Sequence, residues 1–230
     1  MASVISFDLG TKSIGYAIVE PSLRVTKIGI IDLGTNDSSK AVVAIHQVLT
    51  THESICAALT AGAEIVMESQ PAHGAPKVVS HAIQMFCLER HIAHRFMAPN
   101  EKLRIYPEWY AQFENNTRAD RKKLSMHYCK TFLEPQPELK QFYKSNAYKQ
   151  RTDLADALTQ AVRYLQLKKD GPTAALLLAL PAKNDRLAKV LAAAVSAEAH
   201  PDELATGFKK RAYGETDRPP SKRQMIQFNE

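Results

Sequence analysis

Cysteine is scarce in this 230-residue chain: Cys56, Cys87 and Cys129 are its whole supply. Three thiols form no paired framework, which excludes a disulfide-stapled scaffold and points to an intracellular, reducing compartment, cytoplasmic or nuclear. Long apolar runs are absent as well. The longest, residues 173–180, falls far short of the roughly 18 residues that read as a membrane span, so no membrane association is expected. Met1 leads into a strand-like segment instead of a charged stretch followed by an apolar one, so no secretory leader is expected either. No sequence repeat recurs at solenoid periods.

What is present is a chain that is 45% hydrophobic, enough for a sizeable core, with a length that fits one domain plus an extension or two small domains. The formal net charge is +6, and it is unevenly spread: residues 118–169 hold twelve Lys or Arg against five Asp or Glu. A local basic excess of this kind suits a polyanion such as nucleic acid, although a solvated cationic face gives the same composition.

The hydrophobic pattern predicts strands over Val4–Phe7, Ser13–Val19 and Arg24–Asp32, joined by short turns as an antiparallel meander. A helix is expected over Ser38–Ala61, capped by Asn36, Asp37 or Ser38, then a strand over Glu64–Met67 and a loop at 70–76. Next come a helix over Val78–Met97, a strand over Leu103–Tyr106 and a helix over Arg118–Leu133. A basic and aromatic loop at 138–150 precedes an alanine-rich helix over Thr152–Leu167. The order β-β-β-α-β-α-β-α-α implies an α/β fold, a mixed five-stranded sheet flanked by helices. Domain 1–170 is expected to carry the chemistry, with 171–230 a partly helical C-terminal extension ending in a flexible basic tail.

The acids sit at telling places. Asp8 ends the first strand beside a glycine turn, and Glu68 ends the fourth. Asp153 and Asp156 lie three apart on the last helix, on one face. Taken singly, each reads as readily as a turn residue or a helix-start acid. Taken together they form a set of hard oxygen donors without a Cys/His pattern, which favours Mg²⁺, with Mn²⁺ as an alternative. Two such ions about 4 Å apart can activate a water and stabilise a leaving oxygen in phosphodiester hydrolysis.

The residues that carry a family likeness are three. Ile5-Ser-Phe-Asp8-Leu-Gly-Thr-Lys-Ser-Ile-Gly15 resembles the first-strand motif of RuvC-like Holliday junction resolvases. Val66-Met-Glu68-Ser-Gln-Pro71 looks like their second motif, and Arg151-Thr-Asp153-Leu-Ala-Asp156-Ala-Leu their closing helix. The likeness is nearest to the resolvases of poxviruses and related large DNA viruses and covers about residues 3–168. It implies an RNase H-like fold of the retroviral-integrase superfamily, a homodimer, two Mg²⁺ ions per site and paired cuts across four-way DNA. Asp8, Glu68, Asp153 and Asp156 would be catalytic metal ligands, with Asp8 bridging both ions. Each cut would leave a 5′ phosphate and a ligatable nick, in the cytoplasm or at a viral replication site, with the nucleus also open. The family's basic residue falls here at Lys122 or Lys123, with Lys122 preferred. Residues beyond 170 have no counterpart in the family pattern.

Other chemistry is weaker. Asp-Leu-Gly-Thr, at 8–11 and again at 32–35, resembles the phosphate turn of actin-like ATPases and sugar kinases, but two lobes would not fit this length. Cys87, His91 and His94 fall at helical spacing yet lack a fourth zinc ligand. Tyr106, Trp109, Tyr110 and Phe113 are expected in the core or an interface. For DNA backbone contacts the expectation is Lys122, Lys123, Lys144, Lys149 and Arg151. A different nuclease of the same fold, or a non-catalytic DNA-binding module, shares part of this pattern. The helix over Val78–Met97 is the expected dimer interface.

Overall fold

A computed structural model describes residues 1–10, 12–70, 74–111 and 117–170. The expected C-terminal element and basic tail therefore lie outside the described residues, as does Phe113. Three strands, β1 (Val4–Leu9), β2 (Ser13–Val19) and β3 (Val25–Asp32), form the antiparallel meander. β4 (Glu64–Glu68) then pairs parallel with β1, and β5 (His94–Met97) parallel with β4, giving the order β3-β2-β1-β4-β5. The expected mixed five-stranded sheet is present, with helices on both faces.

Strand alternation decides what each face carries. Ile5, Phe7, Ile65 and Met67 pack in one core with α1 (Ser38–Thr51), α2 (Glu53–Thr60) and α3 (Ala75–Glu89). Val4, Ala17, Val19 and Val66 pack in the other, with α5 (Arg118–Leu133) and α7 (Tyr148–Lys169). Asp8 shares the face of Val4 and Ser6, and Glu68 that of Val66. Both acids therefore face α7.

Several boundaries differ from the sequence reading, each for a local reason. Asp37 caps α1, accepting from the backbone N–H of Ser39 and Lys40 at 2.8 and 3.1 Å, but the expected single helix breaks at His52, whose backbone is extended. The fifth strand is His94–Met97, not Leu103–Tyr106. The helix expected to reach Met97 stops at Glu89, because His91 takes a left-handed φ of 55° and turns the chain back toward the sheet. Glu101–Leu103 is a 3₁₀ turn, and a short helix α4 (Pro107–Ala111) follows. The segment expected as a loop before the last helix contains α6 (Pro137–Ser145), started by Pro137 at a first-turn position where its missing N–H costs nothing. α7 itself begins at Tyr148, a turn earlier than expected.

The three cysteines are free. Among the described residues, no helix is long and apolar enough to cross a membrane.

Candidate active site

The strand ends of β1 and β4, the 3₁₀ turn and the first turns of α5 and α7 enclose an open cavity of about 420 Å³. All four acids line it: Asp8 from β1, Glu68 from β4, and Asp153 with Asp156 from α7. They converge because α7 crosses the sheet on the face to which Asp8 and Glu68 point. Three hydrogen bonds from one buried side chain fix that crossing. The Gln160 amide, one turn beyond Asp156, donates to Ser6 Oγ at 2.9 Å, to the Val66 carbonyl at 3.1 Å and to the Phe7 carbonyl at 3.4 Å. It thus ties α7 to both acid-bearing strands, just where the β1–β4 pairing ends at Phe7 and Met67.

The residue that sequence reading missed is Lys102. It is buried, 7% exposed, and its ammonium donates to Glu68 Oε2 at 2.5 Å while lying 3.2 Å from Asp156 Oδ2. Burial alone would lower its pKa, but the charges of Asp156, Asp8 and Glu68 outweigh that and hold it above the ordinary lysine value, so it stays an ammonium. The turn that carries it is pinned at several points. Arg163 of α7 grips Glu101 Oε1 through Nε at 3.0 Å and Nη2 at 2.7 Å, and the Tyr128 hydroxyl donates to the Leu103 carbonyl at 3.1 Å. No periodicity marks Lys102. In sequence it is one charged residue in a polar stretch, 34 positions from Glu68.

Burial raises the Asp8 carboxyl well above its ordinary value of 3.8; Lys102 opposes this, while Asp156, Glu68 and Asp153 push the same way. Asp153 is raised too, by burial first and by Asp156, against the pull of Lys149 and Lys122. One buried ammonium thus stands against Asp8, Glu68 and Asp156, which leaves an excess of negative charge that a further cation would relieve. The donors are all hard oxygens, which fits Mg²⁺ or Mn²⁺ in kind. As the side chains lie, however, no three Asp, Glu, His or Cys among the described residues are grouped to hold an ion together. Lys102 stands between two of the donors.

The cavity mouth is basic. Arg118, Arg121 and Lys122 come from the start of α5, and Lys149 from the start of α7. Of the two lysines expected from sequence, Lys122 lines the cavity, whereas Lys123 is exposed and does not. Lys144 and Arg151 do not line it. Arg151 Nε is buried with no hydrogen-bond partner among the described residues, and its guanidinium lies 6.0 Å from the Tyr148 ring.

The remaining candidates are structural. Asp32 Oδ1 accepts from Gly34 N–H at 2.8 Å, as a turn residue. Cys87 is fully buried, its thiol pushed up to about 12 by burial, while His91 follows α3 and His94 lies on β5, so the three share no helix face. Tyr106, Trp109 and Tyr110 pack against the core beside α5, with the Trp109 ring stacked 5.7 Å from that of Tyr128.

No protein-family model and no curated protein sequence matches the chain. Solved structures do. The fowlpox virus resolvase in complex with substrate Holliday junction DNA is similar over 71% of this chain and 97% of its own, at 16% identity and a TM-score of 0.54. T. thermophilus RuvC in complex with a Holliday junction substrate is similar over 74% of this chain and 97% of its own, at 13% identity and a TM-score of 0.50. The fold is therefore the RNase H-like fold of these resolvases, as the sequence motifs implied.

Proposed function

We propose that the chain is a structure-selective endodeoxyribonuclease that resolves four-way DNA junctions by paired phosphodiester hydrolysis. The observation that carries this is the convergence of Asp8, Glu68, Asp153 and Asp156 on one cavity with a basic mouth. The two solved structures of the same fold, both bound to Holliday junction DNA, support the choice of substrate.

Asp8, Glu68, Asp153 and Asp156 would hold divalent cations, Mg²⁺ or Mn²⁺. Bound there, these ions would activate a water and stabilise the leaving 3′ oxygen. The chain's own side chains do the rest. Arg118, Arg121, Lys122 and Lys149 draw the DNA backbone across the mouth, where their charges offset the phosphates. Lys122 and Lys149 face Asp153, so a phosphate held by them lies against the acids. Gln160 keeps the two strand ends and α7 in fixed relation, so the elements that carry the acids stay in place.

Cutting two opposing strands takes two equivalent sites, and a homodimer supplies them by symmetry. Helix α3, the helical part of the segment expected as the interface, bears exposed Val78, Met85 and Leu88, an apolar stripe suited to a second copy.

The test is cleavage of a synthetic four-way junction, a plain duplex and an RNA–DNA hybrid with Mg²⁺. Selective, symmetric cutting of the junction is expected. Equal cutting of duplex and junction would remove the resolvase assignment, preference for the hybrid would make the chain an RNase H, and no cutting with either Mg²⁺ or Mn²⁺ would remove the nuclease one.

A further inference from the structure

We infer that Lys102 is a resident counter-ion that competes with divalent cations for Glu68 and Asp156, and that DNA phosphate relieves the competition, so that metal capture is coupled to DNA binding. The inference rests on the carboxylate-site reading above and goes beyond it, by assigning to one side chain the control of when the site fills.

The geometry makes the competition direct. The Lys102 ammonium already uses Glu68 Oε2 at 2.5 Å and approaches Asp156 Oδ2 at 3.2 Å, on two of the carboxylates that would hold an incoming ion. Two cations cannot share them at such range without strong repulsion. Its own neighbour Glu101 offers no alternative, since Arg163 takes that carboxylate from one side and Arg104 Nη1 lies 3.4 Å from its other oxygen. Within the free protein, the ammonium's counter-charge is therefore the acid cluster itself. Its turn is pinned by the ties of Glu101 and Leu103 to Arg163 and Tyr128, while its ammonium is held by Glu68 and Asp156. The four-carbon stem can swing into the open cavity, which Lys102 lines together with Lys122, Lys149, Arg118 and Arg121. A phosphate drawn in by that basic mouth can take the ammonium in exchange. Its arrival frees Glu68 and Asp156 where and when a substrate is present.

The experiment measures metal binding, not turnover. Mn²⁺ is titrated into the full chain without DNA, with free Mn²⁺ followed by electron paramagnetic resonance, for the wild type, Lys102→Met and Lys102→Arg. Lys102→Met is expected to bind Mn²⁺ at least about tenfold more tightly than the wild type, and Lys102→Arg to stay weak. Adding a four-way junction carrying phosphorothioates around its crossover, with the DNA alone as reference, is expected to tighten Mn²⁺ binding in the wild type and much less in Lys102→Met. Equal affinity of wild type and Lys102→Met would show that the lysine does not compete. Weaker binding by Lys102→Met would show that it holds the acids in place instead. Either result overturns the inference while leaving the nuclease reading intact. If no form binds Mn²⁺ with or without DNA, the carboxylate-site reading fails and takes the inference with it.

Lys102→Met removes the ammonium paired with Glu68 and Asp156, so its stability is read as well. Mn²⁺ is expected to raise its Tm more than that of the wild type. A variant that stays unfolded even with Mn²⁺ would also overturn the inference, because a divalent ion would then not replace the ammonium.

Discussion

Gly15 on β2 lies directly against Asp153 on α7: a β-carbon at Gly15 would stand 2.4 Å from the Asp153 carbonyl oxygen. Gly15 is also the cross-strand partner of Asp8. A missing side chain on β2 thus lets α7 sit close enough for its acids to meet Asp8 on β1. Gly15→Ala is expected to push α7 away, destabilise the fold by about 1–3 kcal/mol and lower junction cleavage by about a hundredfold. Denaturant unfolding and single-turnover cleavage check the two numbers; wild-type cleavage would show that the close approach is not needed.

Gln160→Leu removes the amide that ties α7 to Ser6, Phe7 and Val66. The expected stability loss is about 1–3 kcal/mol, from the hydrogen bonds of a buried amide to Ser6, Phe7 and Val66 lost together. Cleavage at saturating junction should fall while junction affinity stays within error, because the basic mouth does not depend on this amide. A loss of affinity with an unchanged cleavage rate would be the opposite of what this geometry requires.

The raised acids set a pH dependence. Asp8 and Asp153 both titrate above the ordinary 3.8 in the folded chain. Between that value and the raised ones, the folded state holds protons that the unfolded state has released, so stability without metal falls as pH rises through this window. Asp8→Asn is expected to flatten the fall, measured as Tm against pH in EDTA. An unchanged slope would mean that Asp8 is not the group responsible.

Lys122 lines the cavity and Lys123 is exposed outside it. Lys122→Ala should therefore lower cleavage at least about tenfold, and Lys123→Ala by less than about twofold, with a smaller salt slope of binding only for residues that meet phosphate. Equal effects in parallel kinetic assays would reassign the contact.

On α3, Met85→Asp with Leu88→Asp places charge on two exposed apolar positions, 63% and 54% accessible. Sedimentation equilibrium is expected to show a dimer for the wild type and a monomer for the double variant, with paired cuts reduced to single nicks. A wild-type monomer would refute the proposed assembly.

Some of this was legible in the sequence and some was not, for physical reasons. β2 and α5 fall where the pattern put them, since alternation over Ser13–Val19 and helical spacing over Arg118–Leu133 are both uninterrupted. Asp8 and Glu68 were readable because each follows an apolar run, Asp8 as the penultimate residue of β1 and Glu68 as the last of β4. β5 was hidden because the apolar spacing of α3 runs on past Glu89, and only the left-handed turn at His91 ends it. α6 was hidden among basic residues that read as loop. Lys102 and Gln160 left no mark at all, because their partners lie on distant strands and helices, and only the assembled fold makes a buried amide or a buried ammonium necessary.

The most direct test of the central claim is single-turnover cleavage of a synthetic four-way junction with Mg²⁺ by wild type and Asp8→Asn, with junction affinity measured on the same preparations. The proposed function predicts junction-selective cutting by the wild type, and the four-carboxylate site a loss of more than about a hundredfold in Asp8→Asn, with affinity kept within about twofold because the basic mouth carries binding. Undiminished cleavage by Asp8→Asn would contradict it.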